Sequence, residues 1–366
     1  MVKAPTVYDV AADAGVSIAT VSRVLRRPAE VREATRERVM ASVRDLGYVP
    51  SGSARSLAAR RTGALGLYFP GFDAMDDLVE LSDFAADGAP GYSLVNDVGA
   101  TPDSHQLNLY FDEVLRGAEL EAWRRGFALT VAVGRGDLAA DAARDMAGRV
   151  DGLLVLAQTV PDAALEQLAR RIPIVVLASR SHGGPFDNVS VSNDEGMHAL
   201  AAHVIDDLEI RDIAYVGGPE DSPDDTDRWA GFVAALRERE MDPAAARRHR
   251  GTFTRESGRR AGVELLASPR MPRAVMCAND QMGLGVLDAL KEAGVRVPQD
   301  VVVTGFDGIE AANLSSPRLT TVYQPMELVG RVAIQLMQRR LDNPESGPES
   351  IRLPVRVLLR ESSERQ

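Results

Sequence analysis

The chain has 366 residues, 45% of them hydrophobic and 26% charged, which is typical of a soluble globular protein with two or three domains. Its single cysteine, Cys277, excludes an intramolecular disulfide and fits a reducing compartment. Taken as a whole, the net charge of −11 argues against a nucleic-acid partner. The amino terminus lacks the apolar segment of an export signal and no apolar run reaches transmembrane length, so a cytoplasmic location is expected.

The charge is unevenly distributed along the chain. Residues 1–61 contain one lysine and ten arginines against six acidic residues, a net charge of +5, whereas the remainder carries −16. A basic segment attached to an acidic body is directed towards phosphate groups. The amino-terminal segment is therefore a candidate for DNA binding.

Residues 6–25, TVYDVAADAGVSIATVSRVL, predict a helix-turn-helix. Thr6 and Asp9 form a capping-box pattern, Gly15 supplies the positive φ that ends the first helix, and Ser17 caps the second. Such a motif places its second helix in the DNA major groove. An ordinary helical hairpin is the alternative, and the basic charge of this segment favours the DNA-binding interpretation.

A third helix is predicted over residues 32–46, ending at Gly47 with Tyr48 packed over its end. Residues 50–63 then form a linker whose helical potential is marginal, because glycine and serine weaken it. This hinge could fold into a helix only when it binds DNA, and Leu57 could then insert between base pairs in the minor groove. The alternative is a flexible tether with Leu57 packed on the next domain.

Three segments together resemble the head and hinge of lactose-repressor (LacI/GalR) family regulators: residues 6–25, EATRERV at 33–39 and LGYVPSGSARSL at 46–57. The match runs without a gap, although the family usually has Asn where Ser51 stands and commonly Asn where Arg26 stands. The resemblance implies that one group of side chains faces base edges: Ile18, Ala19 and Arg23. It implies that a second group touches phosphate: Tyr8, Ser17, Thr20 and Ser22. In the hinge, Ala54 and Arg55 are predicted DNA contacts beside Leu57.

From residue 64 onwards, short apolar strands alternate with helices, which predicts parallel sheets covered on both faces. Strands are predicted over 64–69, 129–133, 153–156, 174–177, 189–191, 213–216, 274–277 and 301–304. Helices are predicted over 110–125, 141–149, 162–171, 194–207, 227–239, 255–267, 280–293 and 326–340. The predicted fold class is α/β: an all-α helix-turn-helix head plus a body of two doubly wound subdomains, which by the resemblance is periplasmic-binding-protein-like.

The predicted domains are 1–49 for the head, 50–63 for the hinge and 64–366 for effector binding and dimerisation. The domain of residues 64–366 divides into two subdomains. One comprises about 64–191 and 325–347, and the other comprises about 192–324 and 348–366. The crossings are expected near Ser192, Gln324 and Gly347. Residues 71–106 are an insertion relative to the family, after the carboxyl end of the first strand, where ligands bind in open α/β sheets. They either border the effector cleft or form a surface insertion.

The resemblance also selects a polar constellation in the body: Arg228 in DTDRWAGF, Asn279 and Asp280 in CANDQMG, Asp307 in GFDG and Gln324 in TTVYQP. A fixed carboxylate or guanidinium binds the vicinal hydroxyls of a sugar in pairs. Apolar walls are expected from Phe69, Trp229 and Phe306. We expect Asp280 to be a helix cap rather than a ligand group. Ser179 stands where the family often has Asp, a departure that could alter the ligand class.

Enzyme motifs are weak in this sequence. Gly283 and Gly285 resemble part of a dinucleotide fingerprint, but Asp288 occupies the place of the third glycine, and helix packing explains both glycines. No P-loop or G-x-S-x-G elbow is present, and the five histidines are scattered, so no cofactor or metal is predicted.

The prediction is a transcriptional repressor that binds a pseudo-palindromic operator as a homodimer. It is controlled by a small polar effector, and the polar constellation favours a sugar. The alternatives are a carbohydrate-binding protein without a DNA function and a sugar-processing enzyme with a fused DNA-binding head.

Overall fold

The computed structural model describes residues 5–26, 28–48, 61–71, 109–134, 136–178 and 184–364. The chain divides into two compact units, Met1–Gly63 and Ala64–Gln366. The predictions for the hinge residues Ala54, Arg55 and Leu57, for the insertion beyond residue 71 and for Ser179 lie outside the described residues. In the described ranges, no helix has the length and apolar character needed to cross a membrane.

The first unit is built from three helices, α1 (Val7–Asp13), α2 (Ile18–Arg26) and α3 (Glu33–Asp45), with a short 3-10 turn at Pro28–Glu30 between the last two. A small apolar core holds them together, and its buried members are Val10, Ala11, Ala14, Val21, Val24 and Val39. These residues recur at three- and four-residue spacing within α1 and α2, so each helix buries one stripe and leaves the other exposed. The predicted three-helix head is therefore present.

Local side-chain contacts fix where the first two helices begin. The Asp9 carboxylate accepts the backbone N–H of Thr6 at 2.7 Å, and the Ser17 hydroxyl accepts the backbone N–H of Thr20 at 3.1 Å. Gly15 has a φ of 60°, which residues with a β-carbon adopt only with strain. The turn between the helices therefore depends on this glycine, as the sequence predicted.

The second unit contains two six-stranded sheets. Their strands are β1 (Ala64–Pro70), β2 (Ala128–Gly134), β3 (Gly152–Leu156), β4 (Ile174–Leu177), β5 (Asp187–Val191), β6 (Ile213–Gly217), β7 (Arg247–Arg250), β8 (Ala274–Cys277), β9 (Val302–Asp307), β10 (Thr320–Tyr323), β11 (Ser350–Leu353) and β12 (Arg356–Leu358). The first sheet has the order β11-β5-β4-β3-β1-β2 and is wholly parallel; the second has the order β12-β10-β9-β8-β6-β7, with only β12 antiparallel. We call the parts of the unit built on these sheets the amino lobe and the carboxyl lobe.

Helices connect the strands of both lobes. They are α4 (Leu109–Arg124), α5 (Ala139–Ala147), α6 (Asp162–Ala169), α7 (Asn193–Asp206), α8 (Pro223–Glu238), α9 (Arg255–Leu266), α10 (Asp280–Glu292), α11 (Glu310–Leu314) and α12 (Met326–Asp342). The central strands β3, β4, β6, β8 and β9 are buried along their whole length, because helices cover both faces of each sheet. The two-lobed α/β body predicted from the sequence is present.

The chain passes between the lobes at three crossovers: after Val191, after Tyr323, and between Leu353 and Arg356. The expectation of a third crossing near Gly347 is wrong. Strand β11 follows that glycine and pairs parallel with β5, with Ser350 opposite Asn188, so the chain stays in the amino lobe to residue 353. The sequence does not predict this edge strand, because its exposed residues give no apolar pattern.

Close packing explains the two glycines that resemble a dinucleotide fingerprint: a β-carbon at position 283 would press on the Leu319 side chain. Gly283 and Gly285 lie inside α10, and a β-carbon at position 285 would collide with the carbonyl oxygen of Arg255 at the start of α9. A phosphate-binding loop needs its glycines ahead of the helix, where backbone N–H groups are free. Gly285 instead allows α9 and α10 to approach closely.

Candidate functional site

The exposed face of the head carries the predicted DNA-contacting residues. Ile18, at the start of α2, is 41% exposed and Tyr8 on α1 is 68% exposed, whereas Val21 and Val24 on the opposite face of α2 are buried. Ser17, Ala19 and Arg23 are also exposed, and Thr20 and Ser22 are half-buried. Apolar, hydroxyl and guanidinium groups therefore share one outward surface, which we call the head surface.

The amino terminus of α2 is organised by its own hydroxyl groups. The Ser17 and Thr20 side chains are hydrogen-bonded to each other at 2.9 Å, in addition to the cap that Ser17 provides. The first N–H groups of a helix favour an anion, because they have no partners within the helix and the macrodipole is positive there. This end of α2 can therefore accept a phosphate, and Arg23 is exposed further along the same helix.

In the second unit, Arg228 is the centre of a buried polar cluster. Its side chain, on α8, is only 3% exposed. The Nε atom donates to the Asn193 side-chain oxygen at 2.8 Å, and a terminal nitrogen donates to the Ala278 carbonyl at 2.7 Å. The guanidinium lies 3.9 Å from the centre of the Phe306 ring. Hydrogen bonds and cation–π stacking thus fix the orientation of this charge.

Two carboxylates approach Arg228 at longer range. An oxygen of Asp307 lies 3.5 Å from one guanidinium nitrogen, and an oxygen of Asp224 lies 3.9 Å from the other. The Gln324 amide donates to Asp307 at 2.6 Å. Burial raises the pKa of Asp307 to about 7, although Arg228 and Gln324 act in the opposite direction, and burial also raises the pKa of Asp224. The cluster therefore holds more carboxylates than its one arginine neutralises.

The amino lobe contributes aromatic side chains to the same region. Tyr110, in the first turn of α4, has its pKa raised by burial and by the negative charges of Asp224 and Asp307. The adjacent Phe111 packs on Phe69 with ring centres 5.0 Å apart. Tyr110 of the amino lobe therefore lies within electrostatic range of the carboxylates of the carboxyl lobe, and we call this region the interlobe cluster.

Sequence reasoning missed four members of this region: Tyr110, Phe111, Asp224 and Asn193. Asp224 lies four residues before Arg228 and so shares its helix face, a spacing visible in the sequence. Tyr110 and Phe111 lie in the first turn of α4, the first described helix after β1, at the ligand-binding side of the sheet. Asn193 carried no such signal, because only the crossing of the chain brings it to Arg228.

The structure does not group all the predicted effector contacts in the same way. Trp229 packs on Tyr215 and Phe232, and Arg248 stacks over its ring at 4.0 Å, so its described contacts are to the carboxyl-lobe interior rather than the cluster. Phe306 is fully buried beneath Arg228, so it supports the guanidinium. Arg228, Asp307 and Gln324 are in the cluster, and Phe69 packs on Phe111, the neighbour of Tyr110.

The expectation that Asp280 caps a helix is wrong. Asn279 is the cap of α10: it has extended backbone and its side-chain oxygen accepts the N–H of Met282 at 2.9 Å, while its amide donates to the Phe253 carbonyl. Asp280 is the first helical residue and fully buried, where it accepts N–H groups of Gly308 and Ile309 and the Thr321 hydroxyl. It therefore anchors the loop that carries Asp307.

The chemistry available in the interlobe cluster is recognition of polar groups. Carboxylates, an amide, a phenol and a guanidinium are set against aromatic rings, which suits a ligand with several hydroxyl groups. No group of three potential metal ligands occurs among the described residues. Cys277 is buried, and burial raises its pKa far above the usual range, so it is not a nucleophile at neutral pH.

A helix-turn-helix head and a two-lobed body with a polar interlobe cluster define the class of DNA-binding regulators that respond to a small molecule. Comparison with known proteins places the chain within that class. Residues 6–51 match the family of bacterial regulatory proteins described as the lacI family, and residues 202–363 match a periplasmic binding protein-like domain. The HTH-type transcriptional repressor PurR of Escherichia coli (strain SE11) is 31% identical over 362 residues, covering 98% of this chain and 96% of the relative. The chain belongs to the lacI family of regulatory proteins and not to an enzyme family.

Solved structures agree with this assignment. A transcriptional regulator CelR–cellobiose complex is 31% identical, with a TM-score of 0.66 and coverage of 98% of this chain and 99% of that one. A lac repressor dimer bound to operator and the anti-inducer ONPF is 25% identical, with a TM-score of 0.80 and coverage of 99% of both chains. The likeness therefore extends over both the head and the body.

Proposed function

We propose that this protein is a cytoplasmic transcriptional repressor that binds a pseudo-palindromic operator as a homodimer and responds to a sugar or sugar derivative. The head surface reads the operator, with Arg23 donating to a guanine and Ile18 contacting a thymine methyl group. The effector binds at the interlobe cluster. Its binding shifts the population of lobe arrangements, and operator affinity changes with that population.

The observation that carries this proposal is the buried Arg228–Asp307 pair at the meeting of the two lobes. Its charged groups are 3.5 Å apart, which is longer than the short hydrogen bonds that Arg228 makes to neutral groups. A ligand hydroxyl can therefore compete for both charges without first breaking a short ion pair. A ligand bound there contacts both lobes and so has the differential affinity that allosteric control requires.

The surface proposed for the second copy lies on α4. Trp123 is 78% exposed and Leu120 on the same helix face is 42% exposed, and Val131 on the adjacent edge strand β2 is 44% exposed. Glu113 and Arg116 continue this face, so a two-fold related helix would place opposite charges near each other. Contiguous exposed aromatic and aliphatic groups on a protein surface mark an interface.

The test begins with an operator selected from random duplexes by the purified protein. Mono- and disaccharides are then screened by thermal shift, and each that raises the melting temperature is retested for its effect on operator affinity by fluorescence anisotropy. Cellobiose is the first probe, because the CelR complex contains it. A sugar that stabilises the protein and changes operator affinity supports the proposal; turnover of a sugar would support the enzyme alternative instead.

Two matched pairs of variants locate the sites. Arg228→Lys should abolish the sugar response, whereas Arg237→Lys, an exposed position on the same helix, should preserve it. Trp123→Asp should convert the dimer to a monomer in size-exclusion chromatography with light scattering and weaken operator binding. Val263→Asp, at another exposed apolar position, should leave the dimer intact. A dimeric Trp123→Asp protein would refute the α4 surface.

A further inference from the structure

We infer that Asn193 is a positioning residue that couples the first crossover to the orientation of Arg228; this inference rests on the proposed effector site. Asn193 is the first residue of α7, two positions after the last residue of β5. It is 1% exposed, and both polar atoms of its amide are used. The oxygen accepts from Arg228 Nε and the nitrogen donates to an oxygen of Asp224, each at 2.8 Å.

The chemistry of this position requires a side chain that both accepts and donates, as a carboxamide does. Arg228 offers only donors and ionised Asp224 offers only acceptors, so the side chain between them must accept from one and donate to the other. An aspartate could accept from Arg228 but would face Asp224 with a second negative charge. An aliphatic residue would remove one short hydrogen bond from each charge, and burial makes that loss costly.

The position of Asn193 in the chain makes this contact sensitive to lobe movement. The N–H of the preceding Ser192 donates to the Leu353 carbonyl at 2.9 Å, so Asn193 directly follows a hydrogen bond that joins the first crossover to the third. Rotation of one lobe against the other must change backbone torsions at the crossovers. A change at Ser192 therefore displaces the Asn193 amide and, with it, the guanidinium.

The second crossover repeats the arrangement. Gln324 follows β10, and its side-chain amide donates to Asp307 at 2.6 Å while its backbone N–H donates to the Asp307 carbonyl at 3.1 Å. Crossover amides thus hold both members of the Arg228–Asp307 pair. The lobe arrangement consequently sets the geometry that a ligand meets, and by reciprocity a ligand that fits one geometry favours the corresponding lobe arrangement.

The exchange of Asn193 and Asp224 tests this inference directly. Asn193→Asp alone brings two carboxylates together, and Asp224→Asn alone removes the acceptor charge. The double variant Asn193→Asp/Asp224→Asn restores complementarity with unchanged net charge, because Asp at 193 accepts from both Arg228 and the new amide. Asp206→Asn is the control, because it breaks an ion pair between α7 and Arg239 far along the helix from the crossover.

Two readouts are required. The first needs no ligand: the 15N NMR signal of the Arg228 Nε–H group, identified by its loss in Arg228→Lys, should be protected from solvent exchange in the native protein. Asn193→Asp should lower that protection, because repulsion from Asp224 displaces the carboxylate that replaces the amide, and the double variant should restore it. The second is the ratio of operator affinities without and with saturating cellobiose, or the sugar found in the screen. This ratio should fall about tenfold in each single variant and recover to within about threefold in the double variant.

The outcomes separate the two proposals. If the NMR signal is restored by the exchange but no sugar binds, the effector class is wrong and the positioning role of Asn193 stands. If the signal is absent from the native protein, or unchanged in Asn193→Asp, the inference is overturned whatever binds. A double variant that stays as defective as the single variants would equally overturn it, because the effect would then reflect only damage to the fold. Asp206→Asn should leave both readouts unchanged.

Discussion

The head surface and the interlobe cluster use similar residue types in opposite ways. In the head, Arg23 and Ile18 are exposed and their placement depends on neighbours within about one helical turn. In the cluster, Arg228 is buried and its partners come from positions as distant in sequence as Asn193 and Ala278. The exposed site depends on the local helix, whereas the buried site depends on the whole lobe. Function and stability should therefore separate in the head and remain linked in the cluster.

The largest expected effect comes from Arg228→Met. Removing the guanidinium leaves Asp307 and Asp224 without their buried counter-charge, which should lower the free energy of unfolding by about 3–5 kcal/mol. Urea denaturation followed by circular dichroism measures this loss. Arg237→Met, on the exposed face of the same helix, should change stability by no more than about 0.5 kcal/mol. Equal stability of the two variants would contradict the expectation that function and stability are linked in the cluster.

The next effect is the pH dependence that Asp307 confers. Its pKa of about 7 exceeds the ordinary aspartate value of 3.8, so the folded state binds the proton more tightly than the unfolded state. The stability contributed by this group is complete below about pH 4 and is lost as the pH rises through 7. Asp307→Asn should therefore gain melting temperature relative to the native protein between pH 5 and pH 8.

The matched control for this pH profile is Asp300→Asn. The hydrogen bond from Arg296 lowers the pKa of Asp300 to about 2. The stability that ionised Asp300 contributes is therefore present above pH 3.8, the ordinary pKa of aspartate, and is lost only as the pH falls towards 2. The difference in melting temperature between Asp300→Asn and the native protein should thus stay constant from pH 5 to pH 8. A constant difference for Asp307→Asn as well would show that Asp307 is ionised across that range.

A smaller effect is expected from Arg23→Ala in the head. The side chain is exposed, so the melting temperature of the protein should stay unchanged. Discrimination at one base pair of the operator should fall by about 1–3 kcal/mol, because a bidentate contact to guanine is lost. Anisotropy titrations against the selected operator and its single-base-pair variants measure this. Equal weakening on specific and random duplexes would assign Arg23 to a phosphate instead.

The smallest effect is expected from Ser17→Ala. The variant loses the cap that the hydroxyl provides to the Thr20 N–H, and α2 should be destabilised by about 1 kcal/mol. Hydrogen exchange of the α2 amides measures this change. The amides of α8 in the body serve as the internal control and should exchange at the native rate.

The difference between the sites also explains what could be predicted. The helices and turn of the head follow from apolar spacing and from Thr6, Gly15 and Ser17, which act within a few residues. Buried strands such as β3 and β4 follow from continuous apolar runs. Four of the described strands were not predicted. Three of them, β7, β11 and β12, lie at sheet edges, where residues face solvent and several carry charge. The fourth, β10, lies inside its sheet, but its two threonines interrupt the apolar pattern.

The sequence by itself determined the head, the alternation of strands and helices, and the identity of Arg228, Asp307 and Gln324 as candidates through their motifs. Only the tertiary structure decided that Trp229 packs away from them, that Asn279 rather than Asp280 caps α10, and that Asn193 holds Arg228. The physical reason is the range of the interactions. Helix periodicity and capping act between near neighbours in sequence. The partners of a buried charge are distant in sequence, and only the folded chain with its three crossings brings them together.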